Sequence, residues 1–428
     1  VSFARWRFAL VTLFCGAAFA GTPGDDLRAR ILATPSGGTV DVPAGVYEGH
    51  FVLEKSIHLI GSAGAVLRGD GAGSVVAIRG ADVELAGFVI RGSGKDLTRD
   101  DAGVHVTGAR AIVRDNRIVD TLHGIYVRKA DGCRLLGNNI RGDLANTVQD
   151  AAFSMENLQP ADAELCGTEA IQDRRGNGIH LWNSSGHVIA HNLISGTRDG
   201  IYFSFADNSL ITDNVVTGVR YGLHYMYSDG NTFERNLFSE NAAGAALMYS
   251  NHLVLRDNRF LSNRSHRAYG LLLQAVDDTQ IEGNRIEGNT AGLYIENSNN
   301  DTVRANVITA NYVALRVSDS TSGCRFFENR FRGNIHPIET SGLNRSNTWA
   351  VAGRGNYWDD ALAVDLNHDG VADVAHRETD VFGQWRRIFP AVGLLSASPG
   401  ERLLRFIHNR LALPGLSGVT DPKPLLGR

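Results

Sequence analysis

The phrases NGIHLW (177–182), DGIYFSF (199–205), YGLHYMY (221–227) and AGAALMY (243–249) repeat one pattern every 22 residues. Each runs into a hydrophobic segment closed by an asparagine: Asn192, Asn214, Asn236 and Asn258. Self-similarity at a fixed period of this length is the mark of a stacked repeat array, in which each unit buries its apolar face against its neighbours.

Aligning the rungs on their glycine (Ala314 in the last) extends the pattern across most of the chain. The next residue is Val104, Ile125, Ile179, Ile201, Leu223, Ala245, Leu271, Leu293 or Leu315, always apolar, and the position two further on repeats this from Val106 to Val317. The asparagine column runs Asn116, Asn138, Asn192, Asn214, Asn236, Asn258, Asn284, Asn306 and Asn329, with apolar residues three before and two after each. Alternation over short runs describes strands with one buried face, and stacking of like residues from coil to coil describes an all-β, right-handed parallel β-helix with about 22 residues per coil. A leucine-rich repeat needs a helix-period segment in each rung, and none is present.

Composition agrees. Forty-eight glycines against ten prolines suit a chain that turns often yet keeps its strands unbroken. A formal net charge of −4 lacks the basic excess of a nucleic-acid binder. Arg5 and Arg7, an apolar run from Phe8 to Phe19 and the Ala18-Phe19-Ala20 pattern read as a signal peptide over residues 1–20, with the mature chain starting near Gly21 in the periplasm. The apolar run is shorter than the roughly 20 residues a bilayer span requires. Of the three later cysteines, Cys133 and Cys324 share a column in distant rungs and cannot pair, whereas Cys133 with Cys166 is geometrically open beside three free thiols.

The solenoid is expected over 21–340. A helix from Asp25 to Leu32 would cover its first coil. The spacing of 54 between Asn138 and Asn192 implies an insertion near 143–175, and the spacing of 26 between Asn258 and Asn284 implies an enlarged turn, NRSHRAYG, holding Arg264, His266 and Arg267. Residues 341–398 read as an irregular extension, and 399–428 as a capping helix with a docking tail. Ser398-Pro399-Gly400-Glu401 is a helix start, and Leu403, Leu404, Phe406, Ile407 and Leu411 would face the array. The tail from Pro414 has no repeat to pack on.

Two columns point outward from the strands. The first holds His105, Tyr126, His180, Tyr202, His224, Ala246, Leu272, Tyr294 and Arg316; the second holds Thr107, Arg128, Trp182, Ser204, Met226, Met248, Gln274, Glu296 and Ser318. Two of the chain's three methionines, Met226 and Met248, therefore stand on adjacent rungs with His224 on the same face. Thioethers with imidazole suit monovalent copper, and His266 on the next coil is the candidate further ligand. A hydrophobic contact patch is the competing reading. Polysaccharide hydrolysis or lysis wants paired carboxylates, which the outward columns lack, so no enzyme is expected; carbohydrate binding is the alternative function. Asp365, Asn367, Asp369 and Asp373 around Gly370 have the donor spacing of a calcium loop, but position 12 is His376, leaving calcium and a plain Asx-rich turn as equal readings.

The runs NGIHLWNS, DGIYFSFADNS, RYGLHYMYSD, AGAALMYS, RAYGLLLQ, GLYIENS and GRGNYWDD, with the LLRF and DPKPLL ending, resemble the NosD family, periplasmic proteins of nitrous oxide reductase maturation. The resemblance covers essentially the whole mature chain. It implies a β-helix without hydrolase activity that works with an ABC-type ATPase and permease (NosF and NosY), a copper chaperone (NosL) and the copper enzyme NosZ, meeting the membrane only through the permease. Copper or a sulfur species would be the delivered cargo.

Overall fold

The computed structural model describes residues 21–142, 175–265, 268–340, 346–362, 364–379, 385, 389–396, 398–411 and 418–427. The 1–20 signal segment, the insertion, Cys166 and His266 lie outside them.

Each coil contributes three short strands, and like strands of successive coils pair in parallel to give sheets of 12, 13 and 12 strands. The expected right-handed parallel β-helix is therefore present, in about twelve coils. The alignment on glycine is the true register: Ile179, Ile201, Leu223, Ala245 and Leu271 are successive partners in the third sheet. These inward columns build one continuous core from Leu27 to Val419. Strands pair across the insertion as neighbours, Ile125 with Ile179 and Ile140 with Ile194. Glycine opens each phrase because backbones nearly touch there; a Cβ on Gly222 would lie 2.5 Å from the Gly244 carbonyl oxygen.

The asparagine column is a hydrogen-bond ladder. In Asn214, the backbone N–H donates to Asn236 Oδ1 at 3.0 Å, and the side-chain amide donates to the same oxygen at 2.9 Å and to the Ile189 carbonyl at 2.8 Å. The ladder runs from Asn116 to Asn356 and satisfies buried backbone groups at the turn where the strand ladder breaks. A second ladder, Asn241, Asn263, Asn289, Asn311 and Asn334, runs five residues downstream.

Both ends are closed. Thr22 caps the helix Pro23–Ala33 with a reciprocal Thr22–Asp25 box, and Leu27 and Ile31 cover the first coil, as expected. At the other end the extension adds the strand Tyr357–Trp358 to the second sheet, while Trp349 and Trp358 stack on Phe326 and Phe331 at 4.5 and 4.4 Å. The tail is corrected from a segment without a core role: Gly418–Asp421 pairs antiparallel with His376–Thr379. Asp421 is buried and accepts from the Asn356 backbone at 2.6 Å and from Trp358 Nε1 at 3.0 Å.

The C-terminal helix Pro399–Leu411 starts as read, with Ser398 Oγ accepting from the Glu401 N–H. Its orientation is corrected. Leu403 and Phe406 are 59% and 58% exposed, and it is Glu401, Arg405 and Asn409 that reach the body, toward His336, the Ile335 carbonyl and Glu378. The surface it meets is polar, so the helix turns its polar i, i+4, i+8 stripe inward. Cys133 and Cys324 are buried free thiols, with burial pushing them up to about 11 and about 12. They behave as small core residues.

Candidate metal-binding face

The chemistry-bearing columns lie on the outward side of the third sheet. His105, Tyr126, His180, Tyr202 and His224 are successive register partners, as read from the repeat. Their rings form a continuous ladder with centroids 5.2, 4.5, 4.4 and 4.9 Å apart, and His123 packs beside it at 5.3 Å from both Tyr126 and His180. Met226 is the direct partner of Met248.

The columns point outward as expected, and Thr107 and Arg128 are exposed, but around His224 and Met248 they are covered. His224 is 7% exposed and Met248 is 4% exposed, while Met226 is half-buried. A third outward column explains the burial: Tyr221, Ala243, Tyr269, Ala291 and Val313, just before the glycines, are apolar too. Together with Ala246, Met248 and Leu272 they make a second hydrophobic cluster outside the solenoid wall, with Met226 and Tyr294 packed at its margin. The methionines thus sit at the edge of a low-dielectric patch, where soft thioether donors are better hosted than carboxylates.

Burial acts on the imidazoles directly. It lowers His105, holds His123 down to about 4 and places His180 well below the ordinary histidine range, since a buried imidazolium loses hydration without gaining a paired charge. These rings are neutral at pH 7, the form in which imidazole binds metal.

His224 is held by a group the sequence reading missed. Asp199 is fully buried and accepts from His224 Nδ1 at 3.0 Å; Arg220 clamps the same carboxylate through Nε and Nη2 at 2.8 and 2.7 Å. Burial alone would raise the Asp199 carboxyl, but the hydrogen bonds from His224 and Arg220 outweigh it and hold the group ionised, well below the usual range. With Nδ1 committed to the carboxylate, Nε2 is the other ring nitrogen; a carboxylate–histidine arrangement of this kind is one that orients metal-binding imidazoles. The sequence signal for it is an acid just before the glycine of its phrase, one coil before His224, where the column passes from polar residues (His123, Asn177) to apolar ones (Tyr221, Ala243).

His180 is separated from His224 by the Tyr202 ring and does not join His224, Met226 and Met248. Beyond the methionines, Phe205, Tyr227 and Tyr249 form an exposed stack with centroids 5.3 and 5.1 Å apart and planes within 11°. Their faces are turned to one another. In the calcium-type loop, Asp365 accepts from the Asp369 and Gly370 amides, Asp369 from Val371, and Asp373 from Leu366, while Asn367 accepts from the Asp369 amide. The loop's own backbone therefore engages its side-chain oxygens, and its twelfth residue, His376, points into a different cluster.

Among the described residues, no helix is long and apolar enough to cross a membrane. In solved structures, the fold is shared with a family 28 exopolygalacturonase of Yersinia enterocolitica (TM-score 0.51, 11% identity, 74% of this chain and 73% of that one). It is shared also with an alginate lyase (TM-score 0.52, 14% identity, 76% and 85%). At such identities the likeness is one of fold alone. A family model described as periplasmic copper-binding protein (NosD) matches residues 161–363, which include His224, Met226 and Met248. Proteins named probable ABC transporter binding protein NosD are similar over nearly the full length: one from Stutzerimonas stutzeri is 34% identical over 99% of this chain and 95% of its own, and one from Pseudomonas aeruginosa is 35% identical over 92% and 90%. The chain belongs to the NosD family.

Proposed function

We propose that this protein is a periplasmic accessory of an ABC-type transporter that carries monovalent copper on the outer face of its solenoid and hands it on for assembly of the copper centres of nitrous oxide reductase. The observation that carries the reading is the pairing of Met226 with Met248 beside a histidine oriented by a buried carboxylate. Strands about 4.8 Å apart let two flexible thioethers converge on one ion, and His224 Nε2 supplies the nitrogen donor. The relatives' names and the family description support an ABC-transporter association and copper in general. NosF and NosY as ATPase and permease, NosL as copper donor and NosZ as recipient belong to the same proposal, with a sulfur species as the competing cargo. His266 remains the candidate additional ligand.

Two thioethers and one imidazole give few, mobile donors. Such a site holds its ion less firmly than a closed four-ligand site and so permits transfer. Met226, the least buried of the three, is the entry side.

Carbohydrate binding is the second reading, favoured by the fold relatives. The stacked Phe205, Tyr227 and Tyr249 speak against it, because a sugar platform needs ring faces directed outward. Asp199 and Glu339 on the same face are each clamped by an arginine and so poorly placed for acid–base work on a glycan. Anaerobic titration of the mature protein with Cu(I), set beside a glycan array, separates the two. Uptake of copper without glycan binding supports delivery; glycan binding without copper uptake overturns it.

A further inference from the structure

A second donor cluster lies away from the copper face, where the C-terminal extension meets the last coil. His376 and Glu378 alternate onto one side of the strand His376–Thr379, and Asp360 follows the strand Tyr357–Trp358. The His376 side chain is more than nine-tenths buried and stacks on Trp358 with centroids 4.9 Å apart. Its Nε2 has no hydrogen-bond partner. That nitrogen stands 3.7 Å from Asp360 Oδ1 and 3.6 Å from Glu378 Oε2, too far for hydrogen bonds, and one donor atom from each residue lies within 4.8 Å of the other two.

Such separations leave room for an ion. Donors about 2.0–2.2 Å from a tetrahedral cation stand roughly 3.4 Å from one another. Asp360, the partly exposed member, has freedom to close the remaining gap. Glu378 is buried, a costly place for an uncompensated carboxylate, and burial raises its pKa. Arg405 is its neighbouring cation, but at 3.8 Å, and the Asn409 amide donates to Oε2 at 3.2 Å, which fixes the carboxylate's orientation as supporting residues do around metals. A cleft of about 470 Å³ lined by Asp360, His376, Arg377, Arg405 and Asn409 gives access from solvent and space for a water as fourth ligand.

We propose that Asp360, His376 and Glu378 bind one divalent cation of borderline softness, of the zinc type, which ties the C-terminal hairpin and helix to the last coil. One imidazole with two carboxylates and no sulfur does not suit monovalent copper, so this site is chemically distinct from the methionine site. The ion joins the Tyr357–Trp358 region, the hairpin strand and, through Glu378, the C-terminal helix.

The test is equilibrium dialysis of the full mature protein against Zn2+, with metal content read by mass spectrometry and the melting temperature recorded on the same samples. Wild type is expected to retain one equivalent and to melt higher with zinc. Asp360→Asn, at the exposed edge of the cluster, and His376→Gln are each expected to weaken retention at least tenfold and to lose the zinc-dependent rise in melting. Met226→Leu/Met248→Leu is expected to retain zinc as wild type does. Failure of folded wild type to bind zinc, or undiminished stoichiometric binding by Asp360→Asn, would overturn the proposal and leave the cluster as a histidine–carboxylate ion pair.

Discussion

Replacing Asp199 by asparagine preserves shape and removes one charge, and it separates an oriented histidine from a merely buried one. The wild-type carboxylate accepts one hydrogen bond from His224 and two from Arg220 in a site without exposure. Removing one partner of a buried ion pair costs about 3–5 kcal/mol. The Arg220 side chain is 34% exposed and recovers part of its hydration, so the loss should fall at about 3 kcal/mol. In a solenoid this is felt locally, and amide exchange over Tyr221–Met226 is the suitable measure. The functional effect is separate. Loss of the group that orients a ligating imidazole lowers metal affinity by about 10–100-fold. Competition against a chromophoric Cu(I) chelator under anaerobic conditions reads this directly, with Asp213→Asn, on another side of the same coil after the strand Leu210–Thr212 and paired to Arg235 instead, as the control that should not change. Wild-type copper affinity in a folded Asp199→Asn variant would refute the orienting role of the carboxylate.

Other consequences follow from buried groups. Asp301 takes an asparagine-like place, with Oδ1 accepting from the Thr279 amide, and burial pushes it up to about 8; its folded form holds a proton that the unfolded chain has released. This penalises folding between about pH 4 and 8 and is relieved as pH falls, so Asp301→Asn should stabilise by at most about 4 kcal/mol at pH 7. Buried His123 and His187, each held near 4, act oppositely: the unfolded chain protonates first, so each should cost about 2 kcal/mol between pH 7 and pH 5. Denaturation across this range should therefore show a shallow acid dependence in wild type and a steeper one in Asp301→Asn; parallel profiles would contradict the assignment. Deleting 418–428 strips the Asn356 amide and Trp358 Nε1 of the Asp421 acceptor and should cost about 2–3 kcal/mol at the C-terminal coils, seen as early proteolysis there. Unchanged protease resistance would return the tail to a docking segment. Calcium added to metal-free protein should leave the melting temperature unchanged, since the Asp365–Asp373 loop engages its own amides; a rise of several degrees would restore the calcium reading.

The coil period, the inward columns, the asparagine ladder and the stacking of Met226 on Met248 were all legible because a repeat reports the same environment many times. The second asparagine ladder, from Asn241 to Asn334, carries the same kind of signal in the sequence. Burial of the outward face was not legible, because strand alternation says which way a residue points and not what covers it. The Tyr221, Ala243 and Tyr269 column supplies that cover. The orientation of the C-terminal helix was not legible, because apolar spacing marks a face that would seek an apolar body, whereas its docking partners here, His336 and Glu378, are polar. Asp199 with Arg220, and Asp360 with His376 and Glu378, are joined only by folding; neither set repeats from coil to coil.

The central claim is that sulfur from Met226 and Met248 reaches the copper. X-ray absorption at the copper edge of the Cu(I)-loaded protein, recorded for wild type and Met226→Leu/Met248→Leu, tests it most directly, because leucine keeps the volume and removes only the donors. The account predicts sulfur and imidazole scattering around copper in wild type and loss of the sulfur shell, with weakened binding, in the variant. An unchanged copper spectrum at unchanged affinity in the variant would contradict it.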